Sequence, residues 1–492
     1  MISYIKGKNR EKKMKWKNTW ESYSDAQKRE CEDFCKGYMD FLSNGKTERE
    51  CVGIIREEIE GAGYRDMNDV IAAGDKVIAG DKLYRVNMDK SILMFKVGSA
   101  PIDAGMNILG AHIDSPRMDV KQNPMYEDSG FAYFDTHYYG GIKKYQWVAL
   151  PLAIHGVIVK KNGEKVELSV GEKPSDPVFF VSDLLIHLAQ EQMTKKAMSV
   201  IEGEDLDVII GNKPLTINGD DTSENKDCAG SENGKDDDGQ DAVKKAILEI
   251  LKDDYGIDEE DFLSAELEVV PAGRAREAGF DRSMILSYGH DDRVCAYTSY
   301  KAMLEVGDLE RTACCILVDK EEIGSVGATG MESRFFENTV AELINLTGDY
   351  SDLRLRRCLT SSRMLSSDVS SAYDPTYASS FDKKNVAYLG CGLVFNKFTG
   401  ARGKSGSNDA NAEYLAKLRR VMNDADVNFQ TAELGKVDLG GGGTIAYILA
   451  LYGMEVIDSG VAVLNMHAPW EAVSKADVYE AVRGYKAFVE KI

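Results

Sequence analysis

The chain has 492 residues, 43% of them hydrophobic, which exceeds one small core and suits two domains or one large domain carrying an insertion. Its 81 acidic against 60 basic residues leave a formal charge of −21, which excludes a nucleic-acid surface as the main business of the protein and fits a soluble, cytoplasmic chain. Two further classes drop out: no run of about 20 apolar residues offers a membrane span, and nine cysteines without CxxC spacing read as free thiols in a reducing compartment.

In chain order, the basic segment MISYIKGKNREKKMKWKN lacks the apolar region of a secretory signal, and Met14 offers a second start. Residues 24–44 carry Phe34, Tyr38, Phe41 and Leu42 at helical spacing. Thr47 and Glu50 form a capping-box pattern before a second helix that stops near Gly61 and Gly63. Residues 75–97 then change to short apolar runs broken by turns, which read as strands.

The next stretch, NILGAHIDSPRMDV, places His112 and Asp114 at the end of a buried strand over 108–111. An H-x-D pair suits a metal site, because a bound imidazole needs its far N–H held by an acceptor. From 125 to 281 the texture is strand-like, with an Asn162-Gly163 hairpin signal. Within it, residues 218–241 are nearly devoid of apolar side chains and read as a disordered acidic loop. This region is expected to be a domain inserted between 14–124 and 282–492.

After it, SYGHDDRVCAYTSYKAML sets Asp292 as the expected N-cap of a helix. Asp291 stands beside it at the carboxyl edge of the sheet, where open α/β folds place their sites. The run ACCILVDKEEIGS is apolar over 313–318, as suits a strand buried on both faces, and exits into Glu321 and Glu322. Adjacent carboxylates there raise each other's pKa unless a cation shares the site. Asp368 follows in SSDVSS, and KVDLGGGGTIAY sets four glycines before a helix expected to start at Thr444. Without GK[ST] a phosphate loop is poorly supported; Gly442, Gly443 and Thr444 read instead as substrate-binding backbone. Finally, VAVLNMHAPWE ends a buried run at His467, and a closing helix capped at Ser474 carries Val478, Val482, Tyr485, Phe488 and Ile492 on one face.

His112, Asp291, Glu322, Asp368 and His467 thus form a set of two histidines and three carboxylates near strand and helix ends. That is the ligand count two divalent ions about 3.5 Å apart require when one carboxylate bridges them. The motifs GAHIDSP, GHDDRVC, DKEEIGS, SSDVSSAYDPTY and NMHAPWE, in this order, resemble those of the aminopeptidase I/aspartyl aminopeptidase family of dinuclear zinc exopeptidases. YYGGIKKYQW and VSDLLIHL are similar to segments of its inserted domain.

The resemblance implies an α/β catalytic domain, with a central mixed β-sheet flanked by helices, interrupted by a β-rich oligomerisation domain. It implies two Zn2+ per subunit, with Co2+ or Mn2+ as substitutes: one held by His112 and Asp368, the other by Glu322 and His467, and Asp291 bridging. Glu321 would be the general base, Asp114 the partner of His112, and His187 would reach a neighbouring subunit's active site. A homo-oligomer, a dodecamer of dimers, acting on peptides is implied.

KKYQWVALP replaces the tryptophan-rich segment of aspartyl-preferring members, and Arg402 and Lys404 fall in a Gly- and Ser-rich loop. The reading therefore favours neutral or hydrophobic N-terminal residues, with aspartyl or glutamyl preference as the alternative. A non-catalytic, metal-stabilised assembly protein is the alternative of another class, disfavoured by the presence of Glu321.

Overall fold

The computed structural model describes residues 17–215 and 241–492. Met14 with most of the basic N-terminal segment, and all of the acidic stretch 218–241 except Asp241, lie outside the described residues.

Among the described residues the strands form three sheets. The largest has nine strands, in the spatial order Arg65–Asp66, Lys82–Asn87, Ser91–Lys96, Thr312–Val318, Met106–His112, Arg363–Ser367, Glu455–Gly460, Leu393–Asn396 and Phe429–Ala432. Its four strands from Thr312–Val318 to Glu455–Gly460 are parallel to one another. Ser91–Lys96 runs antiparallel to both its neighbours and Leu393–Asn396 antiparallel to Glu455–Gly460, so the sheet is mixed, as expected.

The apolar run at 313–318 feeds two cores at once. Ala313, Cys315 and Leu317 pack against the helices Asp25–Asn44, His290–Glu305 and Lys475–Lys491 on one face. Cys314, Ile316 and Val318 pack against Phe335–Thr347 and Asp352–Ser361 on the other. A strand that alternates between two cores tolerates no polar position, which is why the run is unbroken. The eight described cysteines are free and seven are buried, and no described helix is long and apolar enough to cross a membrane.

Local chemistry sets the helix starts. Ser24 with Gln27, and Thr47 with Glu50, both close reciprocal capping boxes. Two expectations change. Asp292 does not cap: Gly289 holds the N-cap position of His290–Glu305, and neither oxygen of Asp292 has a hydrogen-bond partner. The closing helix is buried almost all round, not on one face, because Asp477 accepts the amides of Gly390 and Gly392 at 2.7 and 2.6 Å and Glu480 accepts from Asn428. Ser474 does sit at its N-cap position, without a hydroxyl bond.

A six-stranded antiparallel sheet is built from residues between 117 and 271, in the order Lys165–Val170, Leu152–Val159, Ala265–Pro271, Arg117–Asp128, Phe131–Tyr139 and Val208–Gly211. The Asn162-Gly163 turn joins two of its strands. After the IHL segment the chain forms turns and the 3-10 helix Gln192–Thr194, and the apolar side chains of that segment find little to pack on. The third sheet, of five strands, carries Ala462–Leu464 and Glu471–Ser474 and the loop between them.

Candidate metal centre

Parallel pairing lines up the carboxyl ends of the central strands. Val318 is opposite His112 in register, so the DKEEIGS turn and the H-x-D pair leave the sheet side by side, and Asp368 follows Arg363–Ser367 two strands along. Asp291 comes from above, at the kinked start of His290–Glu305, and His467 from the loop of the five-stranded sheet. The Oδ1 of Asp291 lies 3.2 Å from Nε2 of His112, and its Oδ2 lies 3.2 Å from Nε2 of His467. Glu322 Oε2 stands 3.6 Å from the same nitrogen of His467, and Glu321 Oε2 4.0 Å from that of His112. Ligand atoms of His112, Glu321 and Asp368 lie within 4.8 Å of one another, as do those of His112, Asp291 and Glu322.

Further bonds aim these side chains. The far nitrogen of His112 faces both the backbone carbonyl of Asp114, at 3.0 Å, and its Oδ1, at 3.3 Å. The Asp114 carboxylate also accepts the amides of Glu321 and Glu322, at 3.1 and 3.2 Å, and the hydroxyl of Tyr139 at 2.8 Å. One buried carboxylate thereby orients a histidine and the whole acidic turn. His467 has a left-handed backbone, φ 65°, a conformation costing roughly 1 kcal/mol or more for a residue with a side chain. It is held there by Glu471, which accepts its amide at 2.6 Å and that of Asp291 at 3.0 Å. Its Nδ1–H donates to the carbonyl of Gly141 at 2.9 Å. Gly140, at φ 78°, lies so close that an added Cβ would stand 3.3 Å from the Glu322 side chain.

The electrostatics are those of a cation site. Burial pushes Glu321 up to about 7, with His112 opposing and Asp114 and Asp291 adding to the rise. Burial, then Asp291, lifts Glu322 well above the carboxylate range, and burial, then Asp292 and Glu321, lifts Asp368. Burial works against charge on His467, but Asp291 and Glu322 outweigh it and push the imidazole up to about 10. Carboxyls crowded this way hold protons unless positive charge replaces them. The donors, imidazole nitrogens and carboxylate oxygens, suit zinc, and the buried Oε1 of Glu322 has no hydrogen-bond partner. The residues fit the metal.

A cleft of about 530 Å³ opens over the centre, lined by Asp291, Glu321, Glu322, Asp368 and His467 and by Gly442, Gly443 and Thr444. The glycine run serves close packing: a Cβ on Gly441, at φ 115°, would lie 2.4 Å from Ala401 Cα, and one on Gly440 1.7 Å from the Leu434 carbonyl oxygen. Thr444 donates its hydroxyl to Asp458 at 2.6 Å, and the helix expected to begin at Thr444 is the short Ala446–Ala450. Val369, Leu434, Tyr447 and Met466 give the wall its apolar part. Arg402 and Lys404 are not among the lining residues, and His187 is exposed on the six-stranded part of the chain, away from the cleft wall.

Sequence reasoning did not single out Tyr139, Gly141, Asp458 or Glu471. Glu471 closes the HAPWE motif and Tyr139 and Gly141 lie in YYGGIKK, so the signal was adjacency to quoted motifs.

A model of the family described as Aminopeptidase I zinc metalloprotease (M18) matches residues 41–489. A Clostridium acetobutylicum protein named as an M18 family aminopeptidase 1 is 58% identical over 474 residues, 96% of this chain and 98% of its own. The crystal structure of an M18 aminopeptidase from Thermotoga maritima superposes with a TM-score of 0.89 at 43% identity, covering 98% of this chain and 100% of that one. The mApe1 dodecamer of S. cerevisiae shares the fold at 19% identity, with a TM-score of 0.71 over 94% of this chain and 97% of that one.

Proposed function

Since the chain belongs to the aminopeptidase I (M18) family of zinc metalloproteases, and is in that sense a zinc aminopeptidase, we propose that it releases N-terminal residues from peptides at two zinc ions, with Glu321 as general base. His112 and Asp368 would hold one ion and Glu322 and His467 the other, with Asp291, which faces both histidines, shared between them. The observation that carries this reading is the placement of Asp291, whose two oxygens each stand 3.2 Å from a different histidine. Zinc held there, or Co2+ or Mn2+ in its place, would supply an activated water and polarisation of the scissile carbonyl. Glu321, poised near neutrality by burial and oriented through its amide on Asp114, takes the water's proton and returns it to the leaving amine. The acidic groups beside the second ion would attract a free α-amine, which restricts cleavage to the N-terminus.

The apolar wall of Val369, Leu434, Tyr447 and Met466, with no Lys or Arg among the lining residues, supports neutral N-terminal residues such as Leu or Met. Aspartyl or glutamyl preference is the alternative, since a carboxylate side chain needs a fixed cation. The inserted segment, residues 125–281, which supplies most of the six-stranded sheet, is proposed as the oligomerisation domain. Leu185, Ile186 and Leu188 flank His187 on its surface and are 53%, 69% and 67% exposed, which supports burial against another subunit in a dodecamer of dimers. Such an assembly would work in the cytoplasm. The test is zinc content per subunit alongside kcat/KM for free and N-blocked peptides headed by Leu or Asp. Fewer than two zinc ions in the active enzyme, or cleavage of blocked peptides, defeats the mechanism; an Asp preference above tenfold, about 1.4 kcal/mol, defeats the neutral specificity.

A further inference from the structure

The strand Leu393–Asn396 delivers Asn396 to the cleft wall, and Thr399 lines it three residues later. Lys397 lies between them, yet it is absent from the lining. Its ammonium pairs instead with Oδ1 of Asp409, while Lys404 Nζ takes the other oxygen of the same carboxylate at 2.8 Å and lies 3.9 Å above the ring of Phe398. These two hydrogen bonds hold Asp409 below the usual carboxylate range, so it stays charged.

The geometry is built rather than incidental. The Ala410 amide donates to the Lys397 carbonyl at 2.9 Å, closing the base of the loop and fixing Asp409 beside Lys397. The Thr399 amide donates to Ser407 Oγ at 2.8 Å, and the Gly442 amide to the Thr399 carbonyl at 3.2 Å, which joins the loop to the glycine wall. One acidic residue therefore engages both lysines of the segment that borders the substrate.

We propose that Asp409 sets side-chain preference by holding Lys397 and Lys404 away from the cleft, and that removing its charge admits acidic N-terminal residues. This rests on the aminopeptidase reading of the cleft. The pairs are 42–46% exposed, so each contributes about 1 kcal/mol at most; that is enough to bias two flexible side chains, and once the Asp409 charge is gone either lysine is free to turn to a substrate carboxylate. Electrostatic complementarity then selects among substrates.

The zinc-loaded, full-length enzyme is assayed as the ratio of kcat/KM for Asp-headed over Leu-headed peptides, which cancels any loss of folded protein. In Asp409→Asn and Asp409→Ala the ratio is expected to rise roughly threefold to tenfold at low salt and to fall back as salt screens the new pairing. Asp409→Glu keeps the wild-type ratio. The gain disappears when Lys397→Ala and Lys404→Ala are added. An unchanged ratio in both neutral variants, or a gain that survives loss of the lysines, overturns the proposal. The wild-type ratio itself bears on the neutral preference, and its change on mutation bears on Asp409, so the two ideas fail separately.

Discussion

Around Asp291 the chain ties its own backbone down: Glu471 takes two amides, Asp114 takes two more and the Tyr139 hydroxyl, and Gly141 takes a ring N–H of His467. Between residues 184 and 198 the same chain leaves Leu185, Ile186, Leu188 and Met198 facing outward, Met198 at 87% exposure. Both regions are rich in the residue types that make protein interiors and sites, but only the first is completed by contacts within one chain. The difference separates a centre assembled within one chain from an apolar surface that one chain leaves exposed, and each region can be disturbed without the other.

The largest effect falls on the first region. Glu321→Gln is expected to lower kcat by about 10² to 10⁴-fold while zinc content and particle mass stay those of the wild type, read by metal analysis and light scattering. Near-normal turnover in the zinc-loaded variant would remove Glu321 from the chemistry. Glu471→Gln comes next: it weakens a partner that fixes two ligand backbones, so zinc affinity should drop roughly 10- to 100-fold, in the manner of outer partners of metal ligands. Competition with a chelator measures it, and unaltered affinity would mean that the loop holds itself.

The second region is broken by Leu185→Asp with Ile186→Asp, each of which removes about 1.5 to 3 kcal/mol of apolar burial from any interface. Particle mass is expected to fall while the zinc content of the separated chains is kept. Coassembling His187→Ala chains with Glu321→Gln chains should return part of the activity each lacks; hybrids as inactive as their parents, or a wild type active as a monomer, would make the exposed surface irrelevant to catalysis.

The smallest effect on turnover is a pH effect on stability. His290 is buried, with the Tyr38 hydroxyl donating to Nδ1 at 2.7 Å and Nε2–H donating to the Ile285 carbonyl at 3.1 Å. Burial pushes its pKa down to about 3, against about 6.5 in an unfolded chain. Between those values the unfolded chain binds the extra proton, so stability present above pH 6.5 is lost as pH falls towards 3. In metal-free protein the Tm of the wild type should fall over this window more steeply than that of His290→Asn. Parallel slopes would place the acid sensitivity elsewhere.

Much of the centre was legible because its parts are local: a buried run followed at once by Glu321 and Glu322, and His112 two residues from Asp114. Period and apolarity determine where such a strand ends, and the carboxyl edge of a parallel sheet gathers the ends. What could not be read is what depends on distant contact. Gly141 meets His467 across 326 positions, and no local pattern marks that carbonyl. Asp292 has the neighbours of a capping sequence, but the chain kinks there and buries it. Nothing local marks Lys397 either, since the side chain that engages it lies twelve positions on.

The turn at Tyr139, Gly140 and Gly141 ends a strand of the six-stranded sheet by sequence, yet Tyr139 bonds to Asp114, Gly141 bonds to His467, and a side chain at Gly140 would press on Glu322. A cassette exchange that cuts at the borders of the inserted segment would therefore carry away a piece of the peptidase centre with it. Chimeras between relatives should be spliced so that these three residues travel with the half that carries His112, Asp291 and Glu322, and the glycine at 140 has to be kept whichever sheet is grafted. The unit of inheritance for this enzyme is larger than either sheet.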